Sequence, residues 1–329
     1  MNKIMNKTIS KPFFVIAGLS LISTASFAGQ KIDQSMDVDP QSYIEIEHIN
    51  GDAVVKGWDK NEVLVQGELS DRAEEFIFRR DGKSVLIEVE MKRSNKGYNS
   101  WGKWDNDEGD DLVIYVPKTS TVNYTSVNAD FEADDLLGGL NVDVVNGGVD
   151  VKNIVGRVRL ESVNGDITAA ELDGDVRIET VNGDIQGRHS GEGEIGFDSV
   201  NGDIRIQSDS REIAAETVNG DIDLTLEEVS ELDLSSVNGS IEVSMTLVEK
   251  GDIEISTVGG SVDLMFQKGV SARFEIVGHA GGRFINNLTN DKMQKAKYGP
   301  RRWLEFTTGN GSATVDVSTV NGRVELDSQ

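Results

Sequence analysis

A short motif, Val-Asn-Gly, recurs along this sequence at a nearly constant interval. Full copies begin at Val145, Val163, Val181, Val200, Val218, Val237 and Val320, and degenerate copies begin at Val127, Val258 and Val277. Between Val127 and Val258 the interval between copies is 18 to 21 residues. A fixed period near twenty is typical of stacked structural repeats. The repeat therefore limits the fold more than any other feature of the chain.

Apolar and polar residues alternate on both sides of each motif. In the copy at Val181, the apolar residues Val176 and Ile178 precede the motif and Ile185 follows it, with Arg177 and Glu179 between. Most other copies carry apolar residues at the same apolar positions, and most of the positions between them are polar. Alternation with a period of two predicts β-strands that have one buried face and one face in water.

Two architectures fit these strands. In a β-solenoid each repeat is one coil, whereas in a meander each Asn-Gly joins two antiparallel strands. Identity between repeats favours the solenoid, because stacked coils place each residue beside its counterpart, and Thr180 and Ile185 do not match as hairpin partners would. We predict an all-β fold, a single-stranded β-solenoid of about 18-residue coils with an N-terminal strand-rich cap. Asn-Gly would form the coil corner, with Gly in a left-handed conformation and Asn bonded along a ladder.

The N-terminal segment is predicted to direct export. Residues 1–28 combine a basic start, an apolar stretch from Phe13 to Ala25, and the small-x-small site Ser26-Phe27-Ala28. This pattern is typical of a secretory signal peptide. No later stretch is apolar enough to span a membrane. We therefore expect a mature chain in the periplasm or on the cell surface of a bacterium, without disulfides because it has no Cys.

The mature chain is predicted to have two parts. Residues 29–118 form a strand-rich N-terminal capping module, interrupted by an insertion loop at 92–111. Residues 119–327 form the repeat solenoid, which contains a basic excursion at 286–302. Apolar alternation resumes at Val315, so the chain ends on a final coil, and the excursion is expected to cover one end of the stack.

Composition argues against nucleic-acid binding and gives no support for an enzyme. The net charge is −25, and such a surface repels nucleic acid and anionic lipid. The sequence has no nucleophile elbow and no phosphate-binding loop. Its three histidines, His48, His189 and His279, lack partners at metal-ligand spacing, and we expect His48 and His189 at exposed polar positions.

One column of acids is a candidate metal site. It consists of Asp166, Asp184, Asp203 and Asp221, each just after an Asn-Gly pair. Neighbours about 4.8 Å apart would repel by about 1 kcal/mol in water. Calcium bound by their oxygens would relieve this repulsion; alternatively the side chains extend into solvent and salt screens them. No other cofactor is expected.

Two further segments are candidate partner-binding sites. Tyr98, Trp101 and Trp104 in the insertion loop would form an aromatic platform for a protein or a glycan, unless they pack back onto the module. The basic excursion supplies Lys292, Lys295, Lys297, Arg301 and Arg302. This segment would meet an anionic surface such as lipopolysaccharide, associate with the acidic columns of another copy, or only cap the stack.

Several motifs, in order, resemble a known family. They are Tyr43 to Glu47 with Ile49-Asn50-Gly51, Gly57-Trp58-Asp59-Lys60, Val113 to Lys118, and the Ser/Thr-Val-Asn-Gly-Asp-Ile repeats. Over about residues 40–327 the chain resembles the bacterial putative-adhesin family, also called toast-rack, whose function is unknown. The resemblance implies a repetitive, solenoid-like domain of the bacterial envelope and no catalytic residues.

The predicted function is therefore that of a non-catalytic exported envelope protein, a binding or scaffolding module such as an adhesin. Its partner would be an envelope protein, a glycan or another copy of the chain. A first alternative is a component of an envelope-stress sensing system with a membrane-protein partner, since related toast-rack domains accompany such systems. A second is a carbohydrate-active β-helix enzyme.

Overall fold

The computed structural model describes residues 29–92 and 109–329. The predicted signal peptide and residues 93–108 lie outside the described residues. The described part contains no helix that could span a membrane. The first strands are β1 (Gln30–Asp37), β2 (Tyr43–Trp58), β3 (Glu62–Leu69), β4 (Ala73–Asp81), β5 (Ser84–Met91), β6 (Asp110–Pro117), β7 (Thr121–Leu136), β8 (Leu140–Asn146), β9 (Val149–Val155), β10 (Val158–Asn164), β11 (Ile167–Asp173) and β12 (Val176–Asn182). The remaining strands are β13 (Ile185–His189), β14 (Ile195–Asn201), β15 (Ile204–Ser208), β16 (Glu212–Asn219), β17 (Ile222–Asn238), β18 (Ile241–Gly259), β19 (Ser261–Phe266), β20 (Ala272–Gly278), β21 (Arg283–Asn286), β22 (Gln294–Lys295), β23 (Arg302–Thr307), β24 (Ala313–Thr319) and β25 (Arg323–Ser328).

Each repeat winds once around a flattened coil, which confirms the predicted solenoid. A strand that ends at Asn-Gly lies in one sheet, here the front sheet, and the strand that follows lies in the opposite back sheet. Equivalent residues of successive coils pair in parallel, for example Val158 with Val176 and Leu160 with Ile178. A meander of hairpins would have paired these strands antiparallel.

The two sheets run the length of the stack. The front sheet has the order β4-β5-β2-β7-β8-β10-β12-β14-β16-β17-β18-β24-β20-β23-β22. The back sheet has the order β1-β3-β6-β2-β7-β9-β11-β13-β15-β17-β18-β19-β25-β21. Strands β2, β7, β17 and β18 are long enough to contribute to both sheets.

The inward side chains of both sheets form one continuous core. The cluster of buried apolar residues extends from Ile32 to Leu326. Inward residues such as Leu160, Ile178 and Ile185 are at most 1% exposed. Burial of each such side chain stabilises the fold by roughly 1.5–3 kcal/mol. The predicted capping module at 29–118 shares this core with the repeats, and the boundary at 118 stays a prediction.

At most Asn-Gly corners the glycine has a different role from the predicted one, although Gly147 does have a positive φ, of 147°. Gly165, Gly183 and Gly202 do not have left-handed φ angles. Instead, a Cβ atom on Gly183 would lie 2.1 Å from the carbonyl oxygen of Gly165, its counterpart one coil earlier. Close approach between coils therefore excludes a side chain here. Left-handed glycines occur at the opposite corner, where Gly156 and Gly174 have φ of 114° and 117°.

The coils at both ends are stacked out of sequence order. Strands β24 and β25, the last in the chain, lie between the coil of β18 and β19 and the coil of β20 and β21. The final repeat is thus inside the stack, and antiparallel β23 and β22 cover the outer edge of β20. At the other end, β5 and β6 stack outside β2, and antiparallel β4 and β3 cover them.

Candidate functional site

An unbroken ridge of exposed apolar residues follows the Asn-Gly corners along the stack. It consists of Ile49, Val127, Val145, Val163, Val181, Val200, Val218, Val237, Val258 and Val320, each 37–48% exposed. The ridge arises from strand alternation, because the buried residue before each of these positions forces the next side chain outward. We call this surface the valine ridge. Apolar side chains aligned over ten coils are unlike the scattered exposed apolar residues of ordinary surfaces.

Beside the valine ridge lies a column of carboxylates on the front sheet. The acidic column consists of Asp143, Glu161, Glu179, Asp198 and Glu216. Six ridge residues, from Val145 to Val237, and the acidic column line a groove of about 680 Å³. We call it the ridge groove.

Two arginines partly neutralise the acidic column. Arg159 pairs with Glu161 and lies 3.8 Å from Glu179. Arg177 lies 3.1 Å from Glu179 and also pairs with Asp198. Five carboxylates against two guanidinium groups leave the column with an excess of negative charge.

Asp198 of the acidic column has a raised pKa. Burial raises the pKa of its carboxyl group, Arg177 lowers it, and the negative charges of Glu216 and Glu179 raise it again, so that the net shift is upward. A cation placed in the groove would stabilise the ionised form of Asp198. The groove therefore favours a ligand that carries positive charge next to apolar groups.

The Asn-Gly corner holds adjacent coils together through polar side chains. The Asn side chains form the predicted ladder: Asn182 Nδ2 donates to Asn164 Oδ1 at 2.8 Å, and Asn201 Nδ2 donates to Asn182 Oδ1 at 2.9 Å. Buried hydroxyls precede the ridge, and Thr180 Oγ1 donates to the Gly165 carbonyl at 3.4 Å. These contacts explain why Asn and Ser or Thr recur at these positions.

The predicted calcium column makes backbone contacts. Asp166 Oδ1 accepts the Asp184 N–H, and Asp184 Oδ1 accepts the Asp203 N–H, both at 2.9 Å. Asp203 and Asp221 accept the N–H groups of the next coil in the same way. Among the described residues no group of three or more His, Asp or Glu side chains is placed to hold a metal ion. Calcium at these aspartates stays a prediction.

His48 is buried, contrary to the exposed position predicted from the sequence. Its side chain lies at the interface of the outermost N-terminal coils, where Nδ1 is 3.2 Å from the Tyr124 hydroxyl and Nε2 is 3.5 Å from Asp110 Oδ2. Asp110 Oδ1 also accepts the Ser70 N–H at 2.6 Å. Burial raises the pKa of Asp110, but the nearby His48 ring and the hydrogen bond from the Ser70 N–H outweigh it, so that the net shift is downward. This buried cluster joins β2, β6 and β7.

His189 is also buried, which corrects the second histidine prediction. Its Nδ1 lies 3.2 Å from Ser208 Oγ, and its Nε2 lies 2.9 Å from the Gly174 carbonyl. Ser208 and Gly174 belong to the neighbouring coils, so the sequence around His189 gave no sign of them. His279 is exposed and lies 3.2 Å from Ser318. The three histidines are thus far apart in the stack, and each has a local structural contact.

The basic excursion projects from the C-terminal end of the stack. Lys292, Lys295, Lys297 and Arg301 are exposed, and Arg302 is half-buried. None of these five forms an ion pair with a described residue. Aromatic rings accompany two of them, with Lys297 Nζ 5.3 Å from the Tyr298 ring and Arg301 5.9 Å from the Trp303 ring. This end of the molecule therefore has the opposite charge to the acidic column.

The aromatic residues Tyr98, Trp101 and Trp104 lie outside the described residues. In the sequence they stand between β5 and β6. Their role in partner binding stays a prediction.

The valine ridge is a candidate binding surface that was not predicted from the sequence. The signal was present, because each Val of the motif stands one residue after an inward position and must point outward in a strand.

The chain is similar to one known protein family and to several solved structures. No curated protein matches the sequence. A "putative adhesin" from Bacteroides fragilis shares 10% identity at a TM-score of 0.39, covering 90% of this chain and 97% of that one. A "putative lipid binding protein" from Parabacteroides distasonis shares 11% at a TM-score of 0.31, covering 91% and 96%. Neither likeness carries a conclusion about function. The sequence profile of the Toastrack DUF4097 family matches residues 42–327, and the chain therefore belongs to that family.

Proposed function

We propose that this protein is a non-catalytic, exported binding module of the bacterial envelope, and that its partner docks in the ridge groove. The observation that supports the proposal is the combination of the valine ridge with a parallel acidic column in one groove of about 680 Å³. The partner is an extended protein segment that presents alternating apolar and cationic side chains.

The length of the two parallel rows in the groove favours an extended segment. Ridge residues such as Val163, Val181 and Val200 repeat once per coil, about 4.8 Å apart. The carboxylates of the acidic column repeat at the same interval beside them. An extended chain laid along the stack places its apolar side chains on the ridge and its Lys or Arg side chains over the column, so both interactions accumulate with length.

Binding by the groove is tested with a defined peptide of alternating valine and lysine, titrated against the mature protein in fluorescence anisotropy. We expect binding that weakens with salt, because exposed charge pairs are screened within about 10 Å at 0.1 M ionic strength. Serine at Val163, Val181 and Val200 should weaken it about tenfold or more, since contacts of three methyl-bearing side chains are lost. The ridge is solvent-exposed, so these variants should remain folded.

Val155 provides the matched control. It is 38% exposed, similar to the ridge residues, but lies near the opposite corner, so Val155→Ser should leave the affinity unchanged. A peptide of alternating valine and glutamate should not bind. Equal binding of both peptides, or equal effects of Val155→Ser and the ridge substitutions, would refute the proposal.

The cellular location is tested separately, by protease accessibility of the native protein. Digestion in intact cells supports a surface protein and adhesion as its role. Protection until the outer membrane is permeabilised supports a periplasmic location and an envelope-protein partner. Retention in the cytoplasm would exclude an exported module altogether.

A further inference from the structure

One cleft in the described part of the chain differs in charge from the rest of the surface. It lies at the C-terminal end of the stack, has a volume of about 470 Å³, and is lined by Ala280, Gly281, Gly282, Arg283, Pro300, Arg302, Asn321, Gly322 and Arg323. Three arginines and no acid thus line this cleft. The ridge groove, by contrast, is lined by five carboxylates and one arginine.

The arginines come from three separate strands and differ in how they are held. Arg302 donates a hydrogen bond to the Gly282 carbonyl, which fixes its guanidinium at the cleft. Arg323 lies 2.6 Å from Asp263 and 3.2 Å from Glu325, so its charge is largely balanced. Arg283 is exposed and makes no ion pair or hydrogen bond with a described residue through its side chain. Two of the three positive charges are therefore uncompensated by carboxylates.

The glycines of the cleft add backbone donors. Gly281 and Gly282 have φ of 134° and 104°, and within the described residues their N–H groups donate no hydrogen bond. A side chain on Gly282 would collide with the Gly322 carbonyl, 2.7 Å from its Cβ position. Gly281 and Gly282 line the cleft, and their lack of side chains leaves the backbone there uncovered.

The surroundings extend the positive field. Lys292, Lys295, Lys297 and Arg301 of the basic excursion are exposed and have no carboxylate partner among the described residues. In a chain with net charge −25, this end attracts anions that the remainder of the surface repels.

From these observations we propose that the cleft formed by Arg283, Arg302 and Arg323 is a binding site for a phosphate group. A phosphate group is negatively charged, and a guanidinium group can bind two of its oxygens in a bidentate manner. Backbone N–H groups are the other common donors to phosphate. The phosphate is either a free anion or part of a lipid headgroup. The site is distinct from the ridge groove and does not depend on the function proposed for it.

Binding is tested with the mature protein and two probes. Inorganic phosphate is titrated by calorimetry, and vesicles of phosphatidylglycerol, with phosphatidylcholine vesicles as reference, are tested by co-sedimentation. Binding of phosphate alone identifies a site for the free anion, and selective binding of phosphatidylglycerol identifies a headgroup site. If neither probe binds, the proposal is wrong.

A charge-reversing substitution assigns the binding to this cleft. Arg283→Glu should weaken the affinity for the bound probe about tenfold or more, since one charge-assisted contact is replaced by repulsion. Arg79→Glu is the matched control, because Arg79 is exposed at the opposite end of the stack, and it should change the affinity less than about twofold. Arg283→Gln removes the charge more conservatively and serves if Arg283→Glu lowers the melting temperature. Equal effects at positions 79 and 283 would show that only net charge matters and would refute the site.

Discussion

Replacing Gly183 with Ala should destabilise the stack, although the position is at a surface corner. The new Cβ would lie 2.1 Å from the Gly165 carbonyl oxygen and 2.6 Å from its carbon. A carbon–oxygen contact is comfortable at about 3.4 Å, so the coils at this corner must separate by about 1.3 Å. Such a displacement exceeds what closely packed strands absorb without losing contacts.

The hydrogen bonds at this corner determine how much the free energy of unfolding falls in Gly183→Ala. The Gly165 N–H donates to the Asn182 carbonyl at 3.0 Å, the Asp184 N–H to Asp166 Oδ1 at 2.9 Å, and Asn182 to Asn164 at 2.8 Å. At about 1 kcal/mol each, loss of two or three of them lowers the free energy of unfolding by about 2–3 kcal/mol. Residual strain adds to this figure.

Urea unfolding followed by circular dichroism measures the effect against a matched control. Gly148 lies at a neighbouring corner, its φ is not left-handed, and a Cβ there would meet nothing closer than 3.7 Å. Gly148→Ala should therefore cost less than about 0.5 kcal/mol. If Gly183→Ala were as mild as Gly148→Ala, close approach between coils would not be the reason for glycine in the motif.

Three further predictions concern other polar contacts of the stack. Asn182→Ala removes two amide hydrogen bonds of the ladder and should lower the unfolding free energy by about 1–2 kcal/mol, whereas Asn290→Ala, outside the ladder, should not. The pKa of Asp110 is lowered in the folded protein, so its ionised form stabilises the fold at pH values above the unfolded pKa, near 3.9. This stabilisation is lost as the pH falls through the lower, folded pKa. Melting curves of Asp110→Asn should therefore show reduced stability at pH 7 and a smaller further loss of stability in acid than wild type. The pKa of Asp316 is raised by burial and by the negative charge of Glu275. The ionised Asp316 carboxylate therefore destabilises the fold at neutral pH, and this destabilisation disappears as the pH falls through the raised pKa. Asp316→Asn should therefore raise the melting temperature at pH 7 but not in acid, and a uniform change at both pH values would contradict this.

Several features of the fold follow from local sequence patterns. The interval between Val163, Val181 and Val200 requires one coil per repeat, and the alternation around Ile178 and Ile185 decides which side chains are buried. These patterns can be read from the sequence because each coil contacts mainly the equivalent residues of the adjacent coils, so one repeat contains most of the information about its own contacts. The same alternation also specifies the exposed valine ridge, which requires no knowledge of distant contacts.

Other features depend on contacts that no local pattern encodes. Because equivalent positions in all repeats carry similar residues, any coil can stack on any other. The sequence of β24 and β25 therefore does not show that they insert between the coil of β18 and β19 and the coil of β20 and β21. The burial of His48 depends on Tyr124 and Asp110, which the winding brings from other coils. Likewise, Arg283, Arg302 and Arg323 line one cleft only because the final coil inserts there. A periodic sequence thus determined the coil and its two faces, whereas the tertiary structure decided the order of the terminal coils and every site built from their junctions.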